Sequence, residues 1–160
     1  MSTPKAKTGY GAGLWYGSPL TKVAQVLTIK KSGEKQASEK VTNQDSPMDA
    51  AGRVREELIG TIVSGGTVDL TVNFVETDST HQAFFAESGG LWDGKPHSFE
   101  LRWYDPAIDS AQSGTPGVRV AFTGYVFDAP DIDFPIDKAK TATLKVTITG
   151  DVTTTLGVTT

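Results

Sequence analysis

Gly9, Gly11 and Gly13 are the first residues along the chain whose type and spacing suggest ligand chemistry. Closely spaced glycines can form a phosphate-binding loop, but such a loop follows a strand and opens a helix. No strand-like run precedes Gly9, and Pro19 disfavours a helix after it. We therefore interpret these glycines as flexible turns and do not expect nucleotide binding.

Four closely spaced aspartates, Asp128, Asp131, Asp133 and Asp137, carry oxygen atoms of the kind that calcium prefers. Their spacing differs from that of an EF-hand loop, and the segment lacks the central glycine of that loop. Charged residues beside Pro135 are typical of a protected sheet edge. The aspartates therefore predict a solvated edge strand and no metal site.

His81 and His97 have neither a neighbouring cysteine nor an HExxH-type partner, so we interpret them as a helix-face histidine and a loop histidine. Glu56 and Glu57 are adjacent, whereas the two carboxylates of a glycosidase converge from separate places, about 5 to 10 Å apart. The sequence also shows no nucleophile with its base. We predict no catalytic residues, no cofactor and no enzymatic activity.

Length and charge restrict the class of protein further. A chain of 160 residues fits one domain that buries roughly 70% of its unfolded surface. A net charge of -4 argues against a general nucleic-acid coat and against binding to acidic membranes. The absence of cysteine excludes disulfides and thiolate metal sites. No run of about 20 apolar residues is present, so we expect neither export nor membrane binding by the subunit.

Alternating apolar residues indicate the elements that would position any site. In Val68, Leu70, Val72 and Phe74 the period of two is typical of a strand with one buried face, and its polar alternates are Asp69, Thr71 and Asn73. Similar runs occupy residues 22–31, 37–41, 99–103, 118–122 and 144–148, with a weaker one at 132–136. The chain is therefore predicted to be mainly β, an antiparallel sandwich or barrel.

One short helix should flank the sheet. Ser79 begins a capping-box pattern with Gln82, and Gly89 supplies a stop signal. Phe84 and Phe85 fall on one face at helical spacing, so we expect both to pack on the sheet.

Two extensions remain outside this domain. Residues 1–20 contain Pro4, Pro19 and four glycines, which disfavour regular structure, yet they carry the apolar residues Tyr10, Leu14, Trp15 and Tyr16. Residues 43–60 form an excursion too long for a tight hairpin, and loops of this length are usually functional. We therefore divide the chain into an arm at 1–20, a domain at 21–152 with a long loop at 43–60, and a Thr-rich tail at 153–160.

Several motifs together resemble the major tail tube protein of long, non-contractile phage tails. They are GYG at 9–11, NQDSP at 43–47, REELIGTIVSGGTVDLTVNF at 55–74, TDSTH at 77–81, and DK at 137–138 followed by TATLKVTITG at 141–150. The resemblance covers nearly the whole chain and depends on the order and spacing of these motifs. It implies a small β-sandwich or barrel with one helix, assembled into hexameric rings that stack into a hollow tube for DNA. The 105–117 segment is longer than a simple hairpin needs.

The resemblance also implies surfaces and partners. The arm and the long loop would reach between rings, with contacts at Leu14, Trp15, Met48, Arg53, Arg55, Glu56, Glu57 and Leu58. A strand of the inner sheet would place Asp69, Thr71 and Asn73 toward the lumen. Partners would be further copies of the chain, a tape measure protein, a tail terminator, and distal tail or baseplate proteins, with DNA passing without specific binding. The protein would belong to the virion tail and assemble in the host cytoplasm.

A second class of function is also open. Trp15, Trp92 and Trp103 on a β-sandwich would suit an aromatic platform of a carbohydrate-binding or adhesion module. Packing in a core or an interface explains the three tryptophans equally well.

Overall fold

A single curled antiparallel sheet dominates the structure, a computed structural model that describes residues 7–40, 48, 50–53 and 58–157. The sheet has the strand order β2-β1-β7-β8-β10-β6-β3, with β9 beside β10, and a separate two-stranded ribbon pairs β4 with β5. This confirms the predicted fold class, mainly β with one short helix. The elements are β1 (Ala12–Tyr16), β2 (Thr21–Lys22), β3 (Val26–Ser32), β4 (Lys35–Lys40), β5 (Leu58–Ser64), β6 (Thr67–Asn73), α1 (Ser79–Phe85), β7 (His97–Trp103), β8 (Val118–Tyr125), β9 (Asp131–Asp133) and β10 (Thr141–Leu156).

The long strand β10 accounts for the curl of the sheet. Its first half pairs with β6 and its second half pairs with β8, and the register shifts between Thr149 and Thr153. Such a bulge bends a strand and increases its twist. The Thr-rich segment that was expected to be a tail therefore begins inside the sheet, because Thr153 to Leu156 lie in β10.

The apolar alternation of the sequence builds the core. Val68, Leu70 and Val72 of β6 are fully buried, and Leu144 and Val146 of β10 lie directly opposite Leu70 and Val68. The helix packs on this core through Phe84. The other buried residues of the core are Leu14, Val23, Leu91, Phe99, Val120, Phe122, Val126, Ala142 and Ile148.

The sequence predicted that the first 20 residues lack regular structure, but part of this segment forms a strand. Ala12–Tyr16 form β1, which pairs with β7, and Leu14 is 0% exposed in the core. Alternation could not reveal this strand, since Leu14, Trp15 and Tyr16 are consecutive apolar residues between glycines. Residues 1–6 of the predicted arm lie outside the described residues.

The helix ends also differ from the prediction. The N-cap is Asp78, whose side chain accepts hydrogen bonds from the backbone of Thr80 and His81, and the helix ends before Ala86. Gln82 donates to the backbone oxygen of Glu76 and so does not form the capping box predicted with Ser79. Phe84 is buried and Phe85 packs against the core, as expected. No helix in the described ranges is long and apolar enough to cross a membrane.

Candidate functional site

The polar face of the sheet carries the residues predicted to line a lumen. Asp69, Thr71 and Asn73 alternate along β6 with buried residues and are themselves half-buried, so the predicted alternation is confirmed. The Thr71 and Thr143 hydroxyl oxygens lie 3.4 Å apart across two strands. This face is therefore continuous from β6 onto β10.

This face carries charges of both signs. Asp69 lies opposite Lys30 of β3 on one side and opposite Lys145 of β10 on the other. At the next two levels, Asp131 and Asp133 of β9 lie opposite Thr143 and Thr141. Because cross-strand partners share a face, the two lysines and three aspartates form a mixed surface.

A second charged group lies on the same face of β7 and β8. Glu100 is only 4% exposed, and its Oε1 accepts from the Nε atoms of Arg102 and Arg119, each at 2.5 Å. Arg119 Nη2 also donates to Oε2 at 3.1 Å. Burial alone would raise the pKa of Glu100, but the hydrogen bonds from Arg119 and Arg102 outweigh it and hold the pKa below its usual range.

Sequence reasoning missed this buried carboxylate. Glu100 stands between Phe99 and Leu101, so strand alternation assigns it to solvent. Two arginines on neighbouring strands, Arg102 and Arg119, could have indicated a carboxylate between them. The sequence does not give the register of β7 and β8, which places these arginines opposite each other.

The segment after β7 contacts this charged group, since Arg102 Nη1 donates to the Tyr104 hydroxyl oxygen at 3.4 Å. Tyr104 packs on Trp15 with ring centroids 6.0 Å apart, and the Arg102 guanidinium lies 5.0 Å from the Trp15 ring. Further along, Gln112 Nε2 donates to the Gly11 carbonyl at 3.2 Å. The insertion therefore folds back on the start of β1.

The strand predicted at 37–41 is present as β4, and it pairs with β5 to form the ribbon. All six residues of β4 are exposed, and Leu58 and Val63 of β5 are 59% and 67% exposed. The part of the loop at 41–47, 49 and 54–57 lies outside the described residues. Residues 58–60, expected to be loop, belong to β5.

Two facing glycines mark the junction between ribbon and sheet. Gly33 and Gly66 have φ angles of 81° and 80°, a region that side chains disfavour. A Cβ on Gly66 would lie 2.0 Å from the Ser32 carbonyl oxygen. Only glycine permits this close approach, so Gly66 fixes how the ribbon leaves the sheet.

The predicted contact residues fall into three groups. Leu14 and Trp15 are buried inside the subunit, the latter at 8% exposure, which corrects their assignment as ring contacts. Met48, Arg53 and Leu58 are exposed on the ribbon or on the segment joining its strands. Arg55, Glu56 and Glu57 lie outside the described residues.

Both histidines form hydrogen bonds within the subunit through ring nitrogens. His81 lies on the helix face, as expected, and is fully buried. Its Nδ1 accepts from the Val75 amide at 3.0 Å and its Nε2 lies 2.7 Å from the Ala24 carbonyl oxygen. His97 begins β7 and is not in a loop, and its Nε2 lies 2.8 Å from Asp93 Oδ1. Across the described ranges no three His, Asp or Glu residues are grouped to hold a metal.

The tryptophans do not form one exposed platform. Trp15 is buried, and the indole N–H groups of Trp92 and Trp103 donate to the carbonyls of Phe127 and Tyr10 at 3.1 and 3.0 Å. Their packing does not favour a carbohydrate-binding role.

No family model and no curated protein matches the sequence. Solved structures do match it in fold. A chain of the virion of a native gene transfer agent particle superposes with a TM-score of 0.63 at 16% identity, covering 94% of this chain and 99% of that chain. The anti-feeding prophage cap gives a TM-score of 0.67 at 7% identity, covering 98% of this chain and 95% of that chain. The tail tube of SPP1 gives a TM-score of 0.57 at 9% identity, covering 95% of this chain and 80% of that chain. The chain has the fold of a tail tube protein.

Proposed function

We propose that this chain is the structural subunit of a phage tail tube, in which hexameric rings stack into a hollow conduit for DNA. The observation that carries the proposal is the exposed β4–β5 ribbon on a sheet of tail tube fold. An isolated two-stranded ribbon is marginally stable in water, so exposed apolar side chains on it favour a contact with other subunits.

The sequence motifs support the tail type and the partners that we propose. Their resemblance to long, non-contractile tails supports assignment to the virion tail of such a phage, with assembly in the host cytoplasm. We propose tape measure, terminator and distal tail or baseplate proteins as partners inside and at the ends of the tube. In this assembly the chain has a structural role and no enzymatic one.

Within the tube, Leu58 of the ribbon provides contacts between rings, together with Met48 and Arg53 of the segment that joins its strands. We include Arg55, Glu56 and Glu57 in the same contact because they belong to the same excursion. Asp69, Thr71 and Asn73 line the lumen, where a polar wall of mixed charge limits the salt-dependent attraction that arrays of lysine and arginine exert on phosphates.

The experiment compares the full chain with a variant without the ribbon. Ser32 and Thr67 are paired in the β3–β6 register, so an Asn-Gly turn can join them in place of residues 33–66. The core, which lies outside the ribbon, should still fold and give the same near-ultraviolet circular dichroism. Concentrated full-length protein should form hollow tubes under negative-stain electron microscopy, whereas the shortened protein should not.

Two outcomes would count against the proposal. Full-length protein that never forms tubes and instead binds soluble glycans would support the carbohydrate-binding alternative. Tubes formed equally well by the shortened protein would remove the ribbon from the contact between rings. A cryo-electron microscopy map of the tubes would test the lumen, since the proposal requires Asp69, Thr71 and Asn73 to face the bore.

A further inference from the structure

The section β9–β10–β6–β3 ends in an unpaired strand edge on each side. β3 pairs with β6 along one side, and no described strand pairs with its other side. β9 pairs with β10, and again no described strand occupies its far side. Free edges of this kind are templates for pairing with another chain.

The two edges carry opposite charges. Exposed Lys30 lies on β3, next to Lys31, and exposed Asp131 and Asp133 lie on β9. Two β3 edges meeting each other would bring lysines together, and two β9 edges would bring aspartates together. Like charges directly opposite destabilise a strand pair, so both twofold pairings are disfavoured. A pairing of β3 with β9 is favoured by the same charges.

Strand direction agrees with that pairing. Each neighbouring pair from β9 through β10 and β6 to β3 is antiparallel, so β9 and β3 run in opposite directions within one subunit. In a ring with rotational symmetry every subunit has the same orientation. β3 of one copy would therefore meet β9 of the next copy as an antiparallel pair, and the sheet would continue unchanged across the boundary.

Register also agrees with it. Lys30 lies opposite Asp69, which in turn lies opposite Lys145 of β10. Asp131 lies opposite Thr143, which precedes Lys145 by two residues along β10. A stagger of two residues brings Lys30 opposite Asp131 and keeps both on the polar face, because side chains alternate with a period of two. Closing a sheet into a barrel requires a stagger between strands.

We propose that β3 of one copy pairs with β9 of the adjacent copy, with Lys30 facing Asp131, and that this contact closes the ring. The proposal rests on the proposed function, since it specifies how subunits of one ring meet. A head-to-tail contact of this kind generates a ring when its rotation closes, and complementary charges select it over competing pairings.

A charge exchange tests the contact. Lys30→Glu should lower the fraction of protein that sediments as tubes by about tenfold at low ionic strength, and Asp131→Lys should do the same. The double variant restores an attractive pair, so assembly should return to within about threefold of the unmodified chain. Raising the salt concentration to about 0.5 M should reduce the differences, because the interacting charges are exposed.

Lys145→Glu is the matched control. Lys145 also lies opposite Asp69, but on the interior strand β10, so the variant reproduces the repulsion with Asp69 without changing an edge. It should assemble like the unmodified chain. Asp137→Lys provides the control for the acidic segment, because it changes the same charge outside β9.

The assembly of these variants tests the β3–β9 contact separately from the proposed function. Normal assembly of Lys30→Glu, or a folded double variant that stays unassembled, would overturn the β3–β9 contact while leaving the tube itself intact. If Lys30→Glu loses its fold by circular dichroism, Lys30→Gln decides instead, because it removes the attraction without adding a like charge. Failure of the unmodified chain to form tubes would instead overturn the proposed function, together with the contact that depends on it.

Discussion

The sheet and the ribbon are both antiparallel, but they differ in where their side chains lie. Every second residue of β6 is buried, whereas all six residues of β4 are exposed. The reason lies in sequence, since TVDLTVN alternates apolar with polar residues and KQASEK has a single small apolar residue. Burial of apolar surface is the dominant favourable contribution to folding, so β6 stabilises the sheet within one subunit and β4 does not stabilise the ribbon in this way.

This difference separates residues that stabilise the fold from residues available for assembly. A ribbon whose described side chains bury little apolar surface opens locally at low free-energy cost. Contact with another copy would supply the burial it lacks, which is the behaviour expected of a segment that is ordered by its partner.

The largest expected effect comes from truncating one leucine in each region. Leu70→Ala removes a fully buried side chain of β6 and should lower the free energy of unfolding by about 2 to 5 kcal/mol. Leu58→Ala removes one that is 59% exposed on β5 and should change it by less than about 0.5 kcal/mol. Urea unfolding of the unassembled subunit measures both.

Leu58→Ala, which has the smaller effect on stability, should have the larger direct effect on assembly. Leu58→Ala should reduce tube formation although the subunit is as stable as before. If both variants lost similar stability, the ribbon would be part of the folded core and the comparison would fail. If Leu58→Ala changed neither stability nor assembly, Leu58 would not belong to the ring contact.

A smaller effect is expected at the junction of the two regions. Gly66→Ala places a Cβ against the Ser32 carbonyl oxygen in a backbone conformation that alanine disfavours, so we expect a loss of roughly 1 to 3 kcal/mol and a changed ribbon direction. Gly52→Ala is the control, because Gly52 has nearly the same φ angle with no atom within 4 Å of its Cβ. Hydrogen exchange of the β4 and β5 amides would report the change. Equal protection in the two variants would show that the close approach at Gly66 does not set the ribbon.

The sheet could be predicted from the sequence largely because its strands alternate. Val68 to Asn73 and Leu144 to Ile148 signal one buried face each, and the structure has them as neighbours in β6 and β10. β1 escaped prediction because its buried side chains are consecutive, and Trp15 is covered by Tyr104 from a segment almost 90 residues away. Such burial depends on tertiary contact and leaves no local pattern.

The candidate site was predictable in part for the same reason. Asp69, Thr71 and Asn73 were assigned to the polar face by alternation alone. Asp131 was assigned to an edge strand from the neighbouring Pro135, and among the described strands β9 pairs with β10 alone. Lys30 was not recognised as an edge charge, because an edge is defined by which strands pair and not by the strand itself. The buried Glu100 was missed because its two arginine partners are brought together by the register of β7 and β8.

The smallest effect is expected at the N-cap of the helix, which belongs to the stable region. Asp78 accepts from the Thr80 amide at 2.9 Å and from the Thr80 hydroxyl, and the His81 amide lies 3.4 Å away. Asp78→Ala leaves these donors without their acceptor and should cost about 1 kcal/mol. Asp78→Asn keeps a capping oxygen and should cost less, so it is the matched control.

The pH dependence distinguishes the cap from a general packing effect. The Thr80 hydroxyl, together with the Thr80 and His81 amides, lowers the pKa of Asp78 below its usual range. A lowered pKa in the folded state means that the stabilisation is fully present above the unfolded-state pKa, near 3.9, and is lost as the pH falls through the folded-state pKa. The stability difference between the unmodified chain and Asp78→Ala should therefore be constant from about pH 5 to pH 7 and shrink below about pH 4. Chemical unfolding across this range measures it, and a difference that stays the same down to pH 2 would show that the ionised carboxylate of Asp78 does not stabilise the helix.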